Sequence, residues 1–98
     1  EEVAVGVVLD FVAAAVADGI QVVGLRLPVS PQLLEVENRH AGVDWAQFVR
    51  RFRANGGVWL EGFETRSFKT YDGSHLRGGE ARRFSRALAA KIGERLGF

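Results

Sequence analysis

The sequence predicts an α/β fold with parallel strands. Three observations carry that prediction. Apolar patterning runs in the order helix, strand, helix, strand, helix along the 98 residues. The stretch Ile20–Leu27, reading IQVVGLRL, is β-branched and largely apolar, as strands covered on both faces are. A strand–helix–strand order favours a right-handed parallel crossover. At 10.8 kDa the chain is one small domain or part of a larger one. A chain of this size buries only about 60–65% of its unfolded surface, so it packs economically or leans on a partner.

Each element has its own signal. From about Val7 to Asp18 the chain is alanine-rich, with Leu9, Val12, Ala13 and Val16 on one helical face. Gly19 follows as a helix-terminating residue, because glycine adopts the left-handed conformation without steric cost. Val3–Val8 fits a strand as well as a helix on pattern alone. Ile20–Leu27 is the first clear strand, stopped by Pro28. Ser30-Pro31 starts a short helix, with Ser30 as N-cap and Pro31 as its first residue. Asn38 to Gly42 is expected to be loop. Asp44–Asn55 is an amphipathic helix, capped by Asp44 with Gln47 three residues on, as in a capping box. Its apolar stripe is Trp45, Phe48, Val49 and Phe52. Val58–Phe63 is the second strand, and Glu64–Gly79 a long polar loop. Long loops in compact domains are often functional. The last helix, about Glu80–Leu96, buries Ala81, Phe84, Leu88, Ile92 and Leu96.

Two strands make a poor independent sheet, and their outer edges invite pairing. Further strands in a parent protein, or a second copy, are therefore expected.

Composition narrows the function classes. Thirteen basic and twelve acidic residues give a net charge of +1, a poor balance for a polyanion binder. The arginines at 50, 51 and 53, and at 82, 83 and 86, read as solvated helix faces, so no nucleic-acid partner is expected. Trp45 and Trp59 suit core or interface positions better than base stacking. Without cysteine there is no disulfide, thiol nucleophile or cysteine metal site. The longest apolar stretch, Val3–Val16, is broken by Gly6 and Asp10 and is too short to span a membrane. It also lacks the basic start and cleavage site of a signal peptide. The compartment stays open. The start at Glu1, without methionine, suggests a processed or excerpted sequence.

The chemical signal is Tyr71-Asp72-Gly73-Ser74-His75-Leu76, just before the last helix. On a tight turn, the Asp72 carboxylate can reach Nδ1 of His75 and leave Nε2 to take a proton. That is the base-plus-orienter half of a hydrolytic triad. It also falls past the end of a parallel strand, where open α/β sheets place their sites. The plainer reading is a turn: Asp-Gly is a common turn dipeptide, and His75 an ordinary loop histidine. A metal site of His40, His75 and Asp72 is disfavoured, because the histidines lie 35 positions apart without a helical spacing. Gly78-Gly79 could serve an anion at the helix start, or more simply let the chain turn close to the sheet. The sequence implies no cofactor.

Asp72-Gly73-Ser74-His75-Leu76, followed by a small-residue turn and the helix start Ala81-Arg82-Arg83-Phe84, resembles the last block of SGNH (GDSL-like) hydrolases. The likeness is greatest to their DltD-like and alginate-acetylation-type branch. Gly19-Ile20-Gln21-Val22-Val23 through Leu27-Pro28 is similar to that branch's glycine, apolar strand, proline unit. The resemblance covers nearly the whole chain, but only the Asp-x-x-His block is specific. It implies a flavodoxin-like three-layer α/β/α sandwich, here a partial α-β-α-β-α unit. It also implies hydrolysis or transfer of acyl esters, often on carbohydrates, with His75 as general base and Asp72 orienting it. The family's serine lies in a Gly-Asp-Ser block, with oxyanion groups in glycine and asparagine blocks. Ser30, Ser67, Ser74 and Ser85 match no such block, and neither do Asn38 and Asn55. The chain is therefore expected to be the C-terminal part of such an enzyme, inactive without an upstream serine. The rival expectation is a non-catalytic α/β module that oligomerises or docks through open sheet edges.

Overall fold

A computed structural model describes residues 2–40, 42–66, 68–69, 75–76 and 78–97. The valine- and alanine-rich start is one helix, α1, Glu2–Ala17, which settles Val3–Val8 as helical. It ends at Gly19, whose φ of 80° lets Gly19 N–H donate to Val16 and Ile20 N–H to Ala15. The first strand, β1, is only Val23–Gly24. Helix α2, Pro31–His40, begins where Leu33 N–H donates to Ser30 Oγ at 3.2 Å. Helix α3, Trp45–Ala54, begins where Gln47 N–H donates to Asp44 Oδ1 at 3.1 Å. Strand β2 is Val58–Trp59, a 3-10 turn covers Phe63–Thr65, and α4 spans Gly78–Leu96.

The two strands pair in parallel, Val23 opposite Val58 and Gly24 opposite Trp59. Val58 N–H donates to Val22 O and Leu60 N–H to Gly24 O, both at 2.9 Å. The backbone N–H and C=O groups of Val23 and Trp59 therefore point to the two outer edges of the sheet. The molecule is thus mixed α/β, with about two-thirds of its described residues helical and a two-stranded parallel sheet.

One cluster holds the first half together. Leu9 and Val12 of α1 meet Phe52 of α3 and Trp59 of β2, all buried. Burying each such side chain contributes about 1.5–3 kcal/mol. The rings of Phe48 and Phe52 stand edge-on or tilted to one another and to Trp59, with centroids 5.3–6.0 Å apart. The second half is pinned by Phe63 and Phe68, both buried, whose rings each sit 5.6 Å from Phe84 of α4. The α4 stripe expected to be buried is only half-buried: Ala81, Phe84, Leu88, Ile92 and Leu96 are all partly exposed, and none of the helix's described side chains is buried.

Several boundaries differ from the sequence reading, each for a physical reason. The strand expected over Ile20–Leu27 has two ladder residues, and Ile20 and Leu27 are exposed at 57% and 64%. A strand with one neighbour has no second ladder to extend it. The strand expected over Val58–Phe63 stops after Trp59. Gly62 takes the left-handed conformation at φ 92° and turns the chain into the 3-10 turn. Asn38–His40 belong to α2 rather than to loop, and Arg39 pairs with Glu35 one turn earlier. Gly78 and Gly79 are the first residues of α4 instead of a turn before it.

The Cα radius of gyration is 14.6 Å, against about 13 Å for a compact domain of 100 residues. The extents of 38 × 36 × 17 Å describe a flattened body. Its largest apolar exposure is on α1, where Val3, Val7 and Phe11 are 66–76% exposed on one stripe. No helix among the described residues is long and apolar enough to cross a membrane.

Candidate functional site

His75 is exposed and lies three residues before α4. The segment carrying it leaves β2 through Phe63–Thr65 and enters α4 at Gly78. Both ends are anchored on one aromatic group, Phe63 and Phe68 against Phe84. Cations reinforce it, Arg66 lying 4.7 Å over Phe63 and Arg83 lying 4.3 Å over Phe68. Asp72, the residue expected to orient His75, lies outside the described residues, with Tyr71, Gly73 and Ser74. His40 ends α2 and is exposed. Among the described residues, no three histidine, aspartate or glutamate side chains stand close enough to share a metal ion.

The structure also assembles a site that the sequence reading missed. A cleft of about 460 Å³ lies between α3 and the chain that follows the two strands. Arg26, just past β1, and Glu61 and Glu64, just past β2, meet Trp45, Val49, Arg50 and Arg53 of α3 there. Parallel topology explains the meeting. The start of α3 lies at the same end of the sheet as the carboxyl ends of β1 and β2.

The polar groups of this cleft divide into committed and uncommitted ones. Arg26 stacks 4.2 Å above the Trp45 ring, and its Nη1 donates to Asn38 Oδ1 at 2.8 Å. Its Nη2 lies 3.6 Å from Glu37, an ion pair beyond hydrogen-bond length. Arg53 donates to Glu61 at 3.2 Å and, more weakly, to the outward carbonyl of Trp59 at 3.4 Å. That second contact caps the open edge of β2. Among the described residues, three side-chain atoms shut off from solvent make no hydrogen bond: Arg26 Nη2, which is ion-paired with Glu37, Trp45 Nε1 and Glu64 Oε2. Arg26, Trp45 and Glu64 all line this cleft, and Arg26 and Trp45 also line a neighbouring cavity with Glu37. Each such atom costs about 1–3 kcal/mol. The one sequence signal for the cleft was Arg26, the only charged residue in the largely apolar run Ile20–Leu27.

No family model, curated protein or solved structure matches the chain.

Proposed function

We propose that this chain carries the base unit of an SGNH-type serine acyl-ester hydrolase or acyltransferase. His75 is the general base and Asp72 its orienting carboxylate. The nucleophilic serine comes from another segment of the enzyme, and the substrate is an acyl ester, including carbohydrate-linked esters. The observation that carries the reading is the placement of His75. It is exposed, it follows the second of two parallel strands, and its segment is fixed at both ends by Phe63, Phe68 and Phe84. A base must be accessible to its substrate, and His75 is exposed between two packed aromatic anchors. The Asp72-x-x-His75 spacing adds the resemblance. The test is His75→Ala in the complete enzyme, read by hydrolysis of p-nitrophenyl acetate. Loss of a triad member lowers kcat by at least about 10⁴-fold. Unchanged turnover would end the assignment.

A specific observation favours a second reading, an interaction module. The stripe Val3, Val7 and Phe11 leaves an apolar helix face in solvent, and both sheet edges are unpaired by strands among the described residues. Sedimentation separates the two. A folded monomer that binds no partner counts against the module.

A further inference from the structure

Helix α1 and the outer edge of β1 lie side by side, away from α3. Leu9 and Val12 of α1 turn toward Phe52 of α3 and Trp59 of β2. At about 100° per residue, the exposed Ala4, Val7, Phe11 and Ala14 lie on the opposite side of the helix. Arg53 of α3 reaches the outward carbonyl of Trp59, so α3 stands over the β2 edge and α1 on the β1 side. At the β1 edge, the N–H and C=O of Val23 have no hydrogen-bond partner among the described residues. A helix that is apolar on all sides belongs inside a structure, and α1 is such a helix.

The outward residues of α1 are self-complementary. Ala4, Val7, Phe11 and Ala14 are spaced three, four, three, the seam of a coiled-coil helix, and read small, large, large, small from either end. Two antiparallel copies crossing at Leu9 set Val7 against the second copy's Phe11 and Ala4 against its Ala14. A twofold interface needs that kind of match. The charges match as well. The same register carries Asp18, exposed past the C-terminal end of one α1, to the N-terminal end of the other. There the helix dipole is positive and Arg51 stands 3.1 Å from Glu2. Asp10 lies off the seam, at a rim where charge stays solvated. The strand falls under the same axis. Leu9 precedes Asp18 by nine helical residues and Val23 follows Gly19 by four, so both stand about 13 Å from the turn joining α1 to β1. Val23 then meets the second copy's Val23, and the two exchange their outward N–H and C=O bonds as an antiparallel pair does. We propose that this chain forms a twofold dimer through α1 and the β1 edge, with the four strands in the order β2-β1-β1-β2. The proposal rests on the interaction-module reading and gives it a surface and a partner. A helix face about 24 Å long and the strand edge beside it bury on the order of 1,000 Å² over both copies, the lower limit for a specific interface. The dimer is therefore a reversible one, with Kd of about 10–100 µM.

Sedimentation equilibrium of the whole chain, from about 5 µM to about 1 mM, reads the association. Phe11→Asp puts a charge in the centre of the seam and should weaken the dimer at least about 100-fold. Phe11 is exposed, so the variant should keep the wild-type far-UV circular dichroism. The Val23 amide should exchange slowly with solvent in the dimer and fast in Phe11→Asp. Introduced thiols report the register, because the chain has no cysteine of its own. In an oxidising buffer, a mixture of Ala4→Cys and Ala14→Cys chains should form a disulfide-linked pair. Neither variant alone should do so, since like thiols then stand about 15 Å apart along the helices, too far for a disulfide. The proposal is overturned by a chain that is monomeric at about 1 mM. It is equally overturned if Phe11→Asp dimerises as the wild type does, or if like thiols cross-link as readily as the mixed pair. In these last two cases the chain still associates, so the interaction-module reading survives while this surface does not.

Discussion

Gly24→Ala is a sharp probe of how the sheet and α3 are joined. A Cβ at this position would stand 2.7 Å from Cε3 and Cζ3 of Trp59 and 2.9 Å from Cζ of Phe52. No real contact is that short, so both rings would have to move. They cannot move freely, since each is buried and they pack against one another at 5.3 Å. Overpacking of this kind costs about 1–3 kcal/mol. Replacing glycine by alanine returns about 0.4–1 kcal/mol by restricting the unfolded chain. The net loss is therefore about 1–2 kcal/mol, a sizeable part of the roughly 5–15 kcal/mol that holds a domain of this length. For a chain of this size that lowers Tm by roughly 5–15 °C. Gly6→Ala is the internal control. Gly6 lies within α1 and nothing stands within 4 Å of an added Cβ. That variant should gain about 0.5–1 kcal/mol from helix propensity. Thermal melts followed by far-UV circular dichroism read both. If Gly24→Ala melted at or above the wild-type temperature while Gly6→Ala rose as expected, the described packing of β1 under Trp59 would be refuted.

Other expectations follow from the same contacts. Phe52→Ala removes the ring shared by the α1, α3 and β2 contacts and should cost about 3–5 kcal/mol. Its urea transition should broaden or vanish, and a sharp transition near the wild-type midpoint would contradict the core assignment. Asp44→Ala removes the side-chain acceptor for Gln47 N–H and should cost about 1 kcal/mol by urea unfolding. Glu2→Gln breaks the 3.1 Å pair with Arg51, but both side chains are substantially exposed. It should lower stability by less than about 1 kcal/mol, and the small difference in unfolding midpoint from wild type should shrink further with added salt.

Local rules were legible in the sequence where a few neighbouring residues decide the outcome. Ser30 and Asp44 start helices because their side-chain oxygens reach a backbone N–H three residues on. Gly19 closes α1 because it can take a positive φ. The more covered stripe of α4 was readable from its period, but not that it would stay half-buried. Strand length was not readable, because an apolar run says nothing of how many neighbours it has. Ile20 and Leu27 had the composition of a buried strand but have no covering element. The extent of α1 was open for the same reason, since valine suits either form and tertiary packing against Phe52 and Trp59 decides it. The Arg26 cleft was the least legible feature. It joins Arg26 to Glu64 through a parallel crossover, and no local spacing encodes that meeting. The Asp72–His75 pair is the reverse case, a site read from spacing, with His75 placed and Asp72 outside the described residues.

The central claim is that Asp72 orients His75 for proton transfer. The ¹⁵N spectrum of the imidazoles at alkaline pH tests it most directly, since the chain has only two histidines to assign. The account predicts that neutral His75 carries its proton on Nδ1, held by the Asp72 carboxylate, and that Asp72→Ala returns it to the Nε2–H form an unconstrained imidazole prefers. A His75 already in the Nε2–H form, or one whose tautomer ignores Asp72→Ala, would contradict the base-unit reading.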